Sequence, residues 1–65
     1  MTGRIMYTNR HGGMIAATDT HDRFRFDWVN VLDFEPNDVG HDSKVVFETF
    51  TDHGRPVAYR VRRDD

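Results

Sequence analysis

The segment RFRFDWV, from Arg23 to Val29, alternates large apolar side chains with charged ones and then reaches a tryptophan. If the segment is a strand, its two phenylalanines face one side and its charged residues face the other. Arginine and tryptophan stack on flat rings, and arginine also pairs with phosphate. The outer side therefore has the chemistry to bind unpaired nucleic-acid bases, unless it is only the solvated side of a strand.

The composition limits how strong such binding is. The chain has 65 residues and a formal net charge of −2. Binding to phosphates gains much of its free energy when Lys and Arg displace counterions, so we expect any nucleic-acid affinity to be modest and local. Lys44 is the only lysine, and most of the acids are aspartates. This bias fits either a GC-rich genome or a high-salt cytoplasm.

Chain length and residue usage argue against several classes of protein. A chain of 65 residues forms one domain, residues 1–65, with little room for a deep catalytic cleft. Cysteine is absent, which removes disulfides, Cys-ligated zinc and thiol chemistry. No apolar run reaches the length of a signal peptide or a membrane span, which predicts a soluble cytoplasmic protein that does not bind membranes.

We also predict no enzymatic activity, no cofactor and no metal. No nucleophile, base and orienting group form a set, and Ser43, the only serine, lies in a predicted turn. The four histidines fall in predicted turns without metal-ligand spacing. His11 differs from the others because histidine changes charge near neutral pH, which would make anion binding there depend on pH.

Apolar residues recur at period two in short runs, which predicts strands rather than helices. The predicted strands are Arg4 to Thr8, Gly13 to Ala17, Arg23 to Trp28, Lys44 to Phe50 and Val57 to Arg62. The breaks are the turn-forming segments Asn9 to Gly13, Thr18 to Asp22 and Thr51 to Pro56. The predicted core consists of Ile5, Ile15, Phe24, Phe26, Val45, Phe47 and Val61.

The connection from Asn30 to Asp42 is longer than a hairpin loop. It carries Val31, Leu32, Phe34 and Val39, so we expect a short helical turn packed over one barrel end. Three strands, a long connection and two further strands are the order of a five-stranded antiparallel barrel of the OB type. The predicted fold class is therefore all-β.

The sequence resembles the bacterial cold-shock domain over nearly its whole length. TGRIMYTN is similar to that family's T-G-x-V-K-W-F-N. VGHDSKVVFE is similar to L-x-E-G-Q-x-V-x-F-E, and RPVAYRV to G-P-x-A-x-x-V. The order and spacing of these fragments carry the resemblance, which implies a five-stranded barrel that stacks unpaired bases on its second and third strands.

The two base-binding motifs of that family are the least preserved part. K-G-F-G-F-I corresponds to HGGMIA, with one phenylalanine deleted, His11 at the lysine and Met14 at the second phenylalanine. V-F-V-H-F corresponds to FRFDW, which puts Arg25, Asp27 and Trp28 at the outward ring-bearing positions. Each stacked base contributes roughly 1–3 kcal/mol, so the loss of several rings predicts weaker binding than is usual in the family.

Four aromatic positions have two interpretations each. Trp28 either lies on the ligand face or turns at the strand end to pack on the barrel rim with its N–H wet. Strict alternation puts Tyr7 inside, whereas the resemblance puts it outside, which would need a bulge in the first strand. Phe34 and Phe50 either pack against loops or form a remaining stacking shelf.

The basic residues also leave two interpretations open. RVRR, Arg60 to Arg63, is either a solvated C-terminal tail on an edge strand or a phosphate-binding patch beside the first two strands. A second, weaker patch would form if the arginines of the first three strands share one face. These are Arg4, Arg10, Arg23 and Arg25.

The sequence thus favours a cold-shock-like protein that binds single-stranded RNA or DNA weakly and with little sequence preference. The candidate nucleic-acid-binding residues are Tyr7, Arg10, His11, Met14, Arg25, Asp27, Trp28 and Arg60. The alternative is an OB-type module that has lost nucleic-acid binding and contacts a protein partner, or a second copy of itself as a weak homodimer.

Overall fold

A computed structural model describes residues 1–64 of the chain. The elements are the strands β1 (Thr2–Thr8), β2 (Gly12–Ala17), β3 (Arg23–Asp27), β4 (Lys44–Asp52) and β5 (Arg55–Arg63), and the single-turn 3-10 helices η1 (Trp28–Asn30) and η2 (Pro36–Asp38). All five predicted strands are present. Among residues 1–64, no helix has the length and apolar character needed to cross a membrane.

The strands close into a barrel in the order β1-β2-β3-β5-β4, and β4 pairs with β1 to complete it. This is the strand order of an OB-type barrel, as predicted. The prediction of a wholly antiparallel barrel was wrong in one place. β3 and β5 run parallel where Arg25 pairs with Val57, because the long connection after β3 brings the chain across the barrel before β4.

The core lies inside the barrel and consists of the inward side chains of the strands together with Phe34 from the long connection. All seven predicted core residues are buried, and Ala17, Phe34 and Ala58 join them. The rings of Phe24 and Phe47 meet across the interior with centroids 5.6 Å apart. The small alanines leave room for these large rings, which keeps the packed volume balanced.

A bulge in β1 decides the orientation of Tyr7. The pairing of β1 with β2 shifts between Ile5 and Tyr7. Ile5 is fully buried, whereas Tyr7 is 50% exposed. The extra residue turns the tyrosine outward, which confirms the orientation that the resemblance predicted.

Two of the breaks between strands are shorter in the structure than the sequence predicted. The segment Thr51 to Pro56 is mostly strand, because β4 and β5 continue into a two-residue turn at His53 and Gly54. Both residues have positive φ, 51° and 78°, as a type I′ hairpin turn requires. Pro56 is tolerated inside β5 although the prediction placed it in a break. The Asn9 turn between β1 and β2 lies where it was predicted.

The connection after β3 packs on the barrel end through part of its apolar residues. Phe34 is 8% exposed, and Val31 pairs in parallel with Val61 of β5. Leu32 was expected to pack there as well, but it is 57% exposed. Its backbone N–H instead bonds to the carbonyl of Val61, so the backbone docks while the side chain points into solvent.

Candidate nucleic-acid interface

A row of outward residues crosses the barrel, one from each strand. Tyr7 pairs with Met14, Met14 with Arg25, Arg25 with Val57, and Val57 with Phe50. None of these five side chains belongs to the buried core. The register of the sheet therefore places two aromatic rings at the ends of the row and an arginine at its middle.

An open cleft of about 480 Å³ lies along this row. It is lined by Tyr7, Asn9, His11, Gly12, Gly13, Arg25, Phe26, Asp27, Asn30, Phe50, Asp52 and Val57. Tyr7 is 50% exposed and Phe50 is 46% exposed, so both rings are accessible from solvent. Phe50 is held in place by edge-on packing against Tyr59, with ring centroids 5.4 Å apart.

The turn between β1 and β2 forms one wall of the cleft. The Oδ1 atom of Asn9 accepts hydrogen bonds from the backbone N–H groups of His11, at 2.8 Å, and Gly12, at 3.0 Å. Gly12 then passes so close to β3 that a Cβ atom would lie 1.9 Å from the backbone oxygen of Phe26. The glycine is thus required for β2 and β3 to meet beneath the cleft.

Charges of both signs line the cleft. Arg25 and His11 are the basic groups, and Asp27 and Asp52 are the acidic ones. Each carboxylate is bonded to a near neighbour in the chain: Asp27 accepts from the N–H of Val29 at 3.1 Å, and Asp52 bonds to the ring of His53 at 2.8 Å. Two acidic side chains therefore line the cleft, which makes the cleft itself a poor place for a phosphate.

Trp28 does not lie on the outer side of β3. The strand ends at Asp27, and Trp28 begins η1 at the barrel rim. Its ring packs edge-on against Phe26 and Phe34, at 5.4 and 6.1 Å, and its N–H bonds to the carbonyl of Asn9. Rim packing was therefore the correct alternative for the ring, although the N–H is bonded to backbone rather than to water.

The basic candidates fall in separate places. Arg60 forms an ion pair with Glu48 at 3.0 Å and does not line the cleft. Its strand is paired with β4 on one side and meets β3 on the other, so the prediction that β5 is an edge strand was wrong. Arg10 lies in the exposed turn, where its Nε contacts the ring of His11 at 3.4 Å.

The predicted patch of four arginines does not form as one surface. Arg4 lines a different hollow, beside His21 and His41. Arg23 and Arg25 do share a surface, a smaller groove of about 220 Å³ that also contains Met14, Arg55 and Pro56. Met14 therefore belongs to this groove rather than to the cleft.

Two residues of this region were not among the candidates. For Phe50, the sequence analysis allowed either packing against a loop or stacking. Because Val45 and Phe47 are buried, alternation along β4 places Phe50 on the outer face. Arg55 was assigned to a break. Its position beside β3 depends on the parallel contact of β5, for which no local signal exists in the sequence.

A scan against protein-family models found no match for the chain, and a search of curated proteins found none either.

Proposed function

We propose that the protein binds single-stranded RNA or DNA in the cleft, weakly and with little sequence preference, in the manner of a cold-shock-like protein of the cytoplasm. The observation that carries the proposal is the pair of accessible rings, Tyr7 and Phe50, on one cleft whose row has Arg25 at its centre. Stacking on such rings tolerates any base, because every base has a π-face.

The expected affinity follows from the number of rings. Two stacked bases contribute about 2–6 kcal/mol together, if each contributes about 1–3 kcal/mol. A micromolar complex needs about 8 kcal/mol, so stacking alone is insufficient. Contacts between arginines and phosphates would supply the remainder, which makes the binding dependent on salt.

The proposal is tested by titrating the protein into fluorescently labelled oligo-dT and mixed-sequence RNA and measuring fluorescence polarisation. Tyr7→Leu and Phe50→Leu each remove a ring and keep an apolar side chain. Each is expected to weaken binding by about five-fold or more, which corresponds to at least about 1 kcal/mol. Leu32→Ala is the matched control, because Leu32 is an exposed apolar side chain outside the cleft.

If both leucine variants bind as tightly as the Leu32→Ala control, the stacking proposal is wrong. If the wild-type protein binds neither oligonucleotide up to millimolar concentration at low salt, nucleic-acid binding itself is refuted.

A protein-interaction module is the second candidate, favoured by the two aspartates of the cleft. Asp27 and Asp52 repel phosphate but would pair with basic side chains of a partner. This candidate predicts that Asp27→Asn weakens partner binding. The nucleic-acid proposal predicts instead that Asp27→Asn leaves oligonucleotide binding unchanged or strengthens it.

A further inference from the structure

Three arginines from two strands converge beside the cleft. Arg23 and Arg25 of β3 and Arg55 of β5 line the groove described above, between the side chains of Met14 and Pro56. All three arginines are exposed. Arg25 also lines the cleft, so the groove and the cleft adjoin at this residue. We call this surface the arginine groove.

The arrangement of these arginines is unfavourable for the protein alone. β3 and β5 run parallel with Arg25 opposite Val57, and Arg23 and Arg55, two residues before each of these, line the same groove. Like charges on neighbouring strands destabilise a sheet. Within residues 1–64, the ion pairs join other groups, and no carboxylate lies within 4.0 Å of any of these three guanidinium groups.

The arginine groove and the cleft differ in charge. This difference favours phosphates in the groove and bases in the cleft. Two of the residues lining the cleft are aspartates, whereas no acidic residue among residues 1–64 lines the arginine groove. A single strand that places its bases between Tyr7 and Phe50 would keep its phosphates away from Asp27 and Asp52. The neighbouring surface that attracts phosphates is the arginine groove.

We propose that the arginine groove binds the sugar-phosphate backbone of the strand whose bases occupy the cleft. Guanidinium groups bind phosphate oxygens through paired, charge-assisted hydrogen bonds, and Met14 and Pro56 provide apolar contact for the sugars. Arg25 joins the two surfaces and can contact either a base or its phosphate. This inference rests on the proposed function, since the groove lies beside the cleft that it serves.

The test compares two double variants that change the net charge equally. Arg23→Gln with Arg55→Gln removes two charges from the groove and leaves the cleft unchanged. Lys44→Gln with Arg62→Gln removes two charges from exposed positions outside both surfaces. Fluorescence polarisation with labelled oligo-dT is measured between 50 and 200 mM salt. An abasic oligonucleotide of equal length and an oligo-glutamate peptide serve as further probes.

The expected result is a smaller salt dependence for the groove variant. Each phosphate contact to a single strand contributes about −0.7 to the slope of log K against log salt, so losing two changes the slope by about 1.4. Raising the salt from 50 to 200 mM should then weaken binding about seven-fold less in the groove variant than in the wild type. Arg23→Lys with Arg55→Lys keeps the charges and should retain most of the wild-type slope.

If the two glutamine variants have equal affinities and equal slopes of log K against log salt, phosphate binding by the arginine groove is refuted. The proposed function would survive that result if Tyr7→Leu still weakens binding. If the abasic oligonucleotide binds as tightly as oligo-dT and binding is lost in the groove variant, the arginine groove is supported and stacking is refuted. Binding of the oligo-glutamate peptide without binding of either oligonucleotide would overturn both proposals and indicate an acidic protein partner.

Discussion

The indole N–H of Trp28 donates a 2.7 Å hydrogen bond to the backbone carbonyl of Asn9, nineteen residues earlier in the chain. Asn9 forms the turn between β1 and β2 and lines the cleft. The bond therefore ties the end of β3 to the wall of the cleft. Trp28 therefore stabilises the barrel rim and is not one of the rings that face solvent.

Replacing Trp28 by phenylalanine should separate stability from binding. The phenyl ring keeps the packing against Phe26 and Phe34 in part but cannot donate the hydrogen bond to Asn9. We expect a loss of about 1–2 kcal/mol in the free energy of unfolding, measured by urea denaturation, with oligo-dT affinity close to that of the wild type. Tyr7→Leu should show the opposite pattern, and a Trp28→Phe variant that remains folded but binds as poorly as Tyr7→Leu would contradict this.

Gly12 should be intolerant of any side chain. A Cβ atom there would lie 1.9 Å from the backbone oxygen of Phe26, and neither backbone segment can move away without breaking the pairing of β2 with β3. Gly12→Ala should therefore cost about 3 kcal/mol or more. A domain of this size rarely has more than about 3–5 kcal/mol of stability, so thermal unfolding followed by circular dichroism should show a largely unfolded protein at 37 °C.

Gly40→Ala is the matched control, because a Cβ atom at Gly40 would meet no atom of residues 1–64 within 4 Å. Its thermal transition should coincide with that of the wild type or lie slightly higher. If Gly12→Ala and Gly40→Ala melted together, the close approach of β2 to Phe26 would be wrong.

His53 offers a stabilising substitution. It occupies the first central position of the turn between β4 and β5 with a φ of 51°, a left-handed conformation that costs a residue with a Cβ atom about 1–2 kcal/mol. Asparagine adopts this conformation more readily, and Asn-Gly is the preferred pair for this turn. His53→Asn should raise the free energy of unfolding by up to about 1 kcal/mol, measured by urea denaturation.

His41→Asn is the control for that substitution. Like His53, His41 is exposed and contacts an aspartate next to it in the chain, with 3.3 Å between its ring and the carboxylate of Asp42. Unlike His53, it does not have a positive φ. Its replacement removes the same kind of contact without relieving the backbone. A stability gain of equal size in both variants would show that the turn conformation is not the cause.

The sequence was sufficient to predict the barrel because alternation is a local signal. The inward positions of β1 to β4 are set by apolar residues at every second place, and all predicted core residues are buried. In β5 a register shift against β4 puts the buried Ala58 and Val61 three residues apart. The outward position of Tyr7 needed a bulge, which alternation alone does not reveal, and the resemblance to a known family supplied it. The orientation of Trp28 depended on a partner nineteen residues away, beyond the reach of any periodic pattern.

The cleft was only partly predictable, because closing the barrel brings distant strands together. Tyr7, His11, Arg25 and Asp27 were candidates and do line it. Phe50 and the arginine groove depend on how β5 lies between β3 and β4. That placement follows from the path of the long connection, and composition alone carries no information about it.

The arginine groove makes a last prediction about stability. Arg23 and Arg55 both line the arginine groove, and no carboxylate of residues 1–64 forms an ion pair with either of them. Removing this repulsion through Arg23→Gln with Arg55→Gln should raise the free energy of unfolding by about 0.2–1 kcal/mol in low salt, and the gain should shrink as salt screens the charges. Arg62→Gln alone should show no such gain, because Arg62 pairs with Val46 rather than with a charged residue. Urea denaturation at 20 and 500 mM salt measures both, and a groove variant that is less stable than this control in low salt would contradict the prediction.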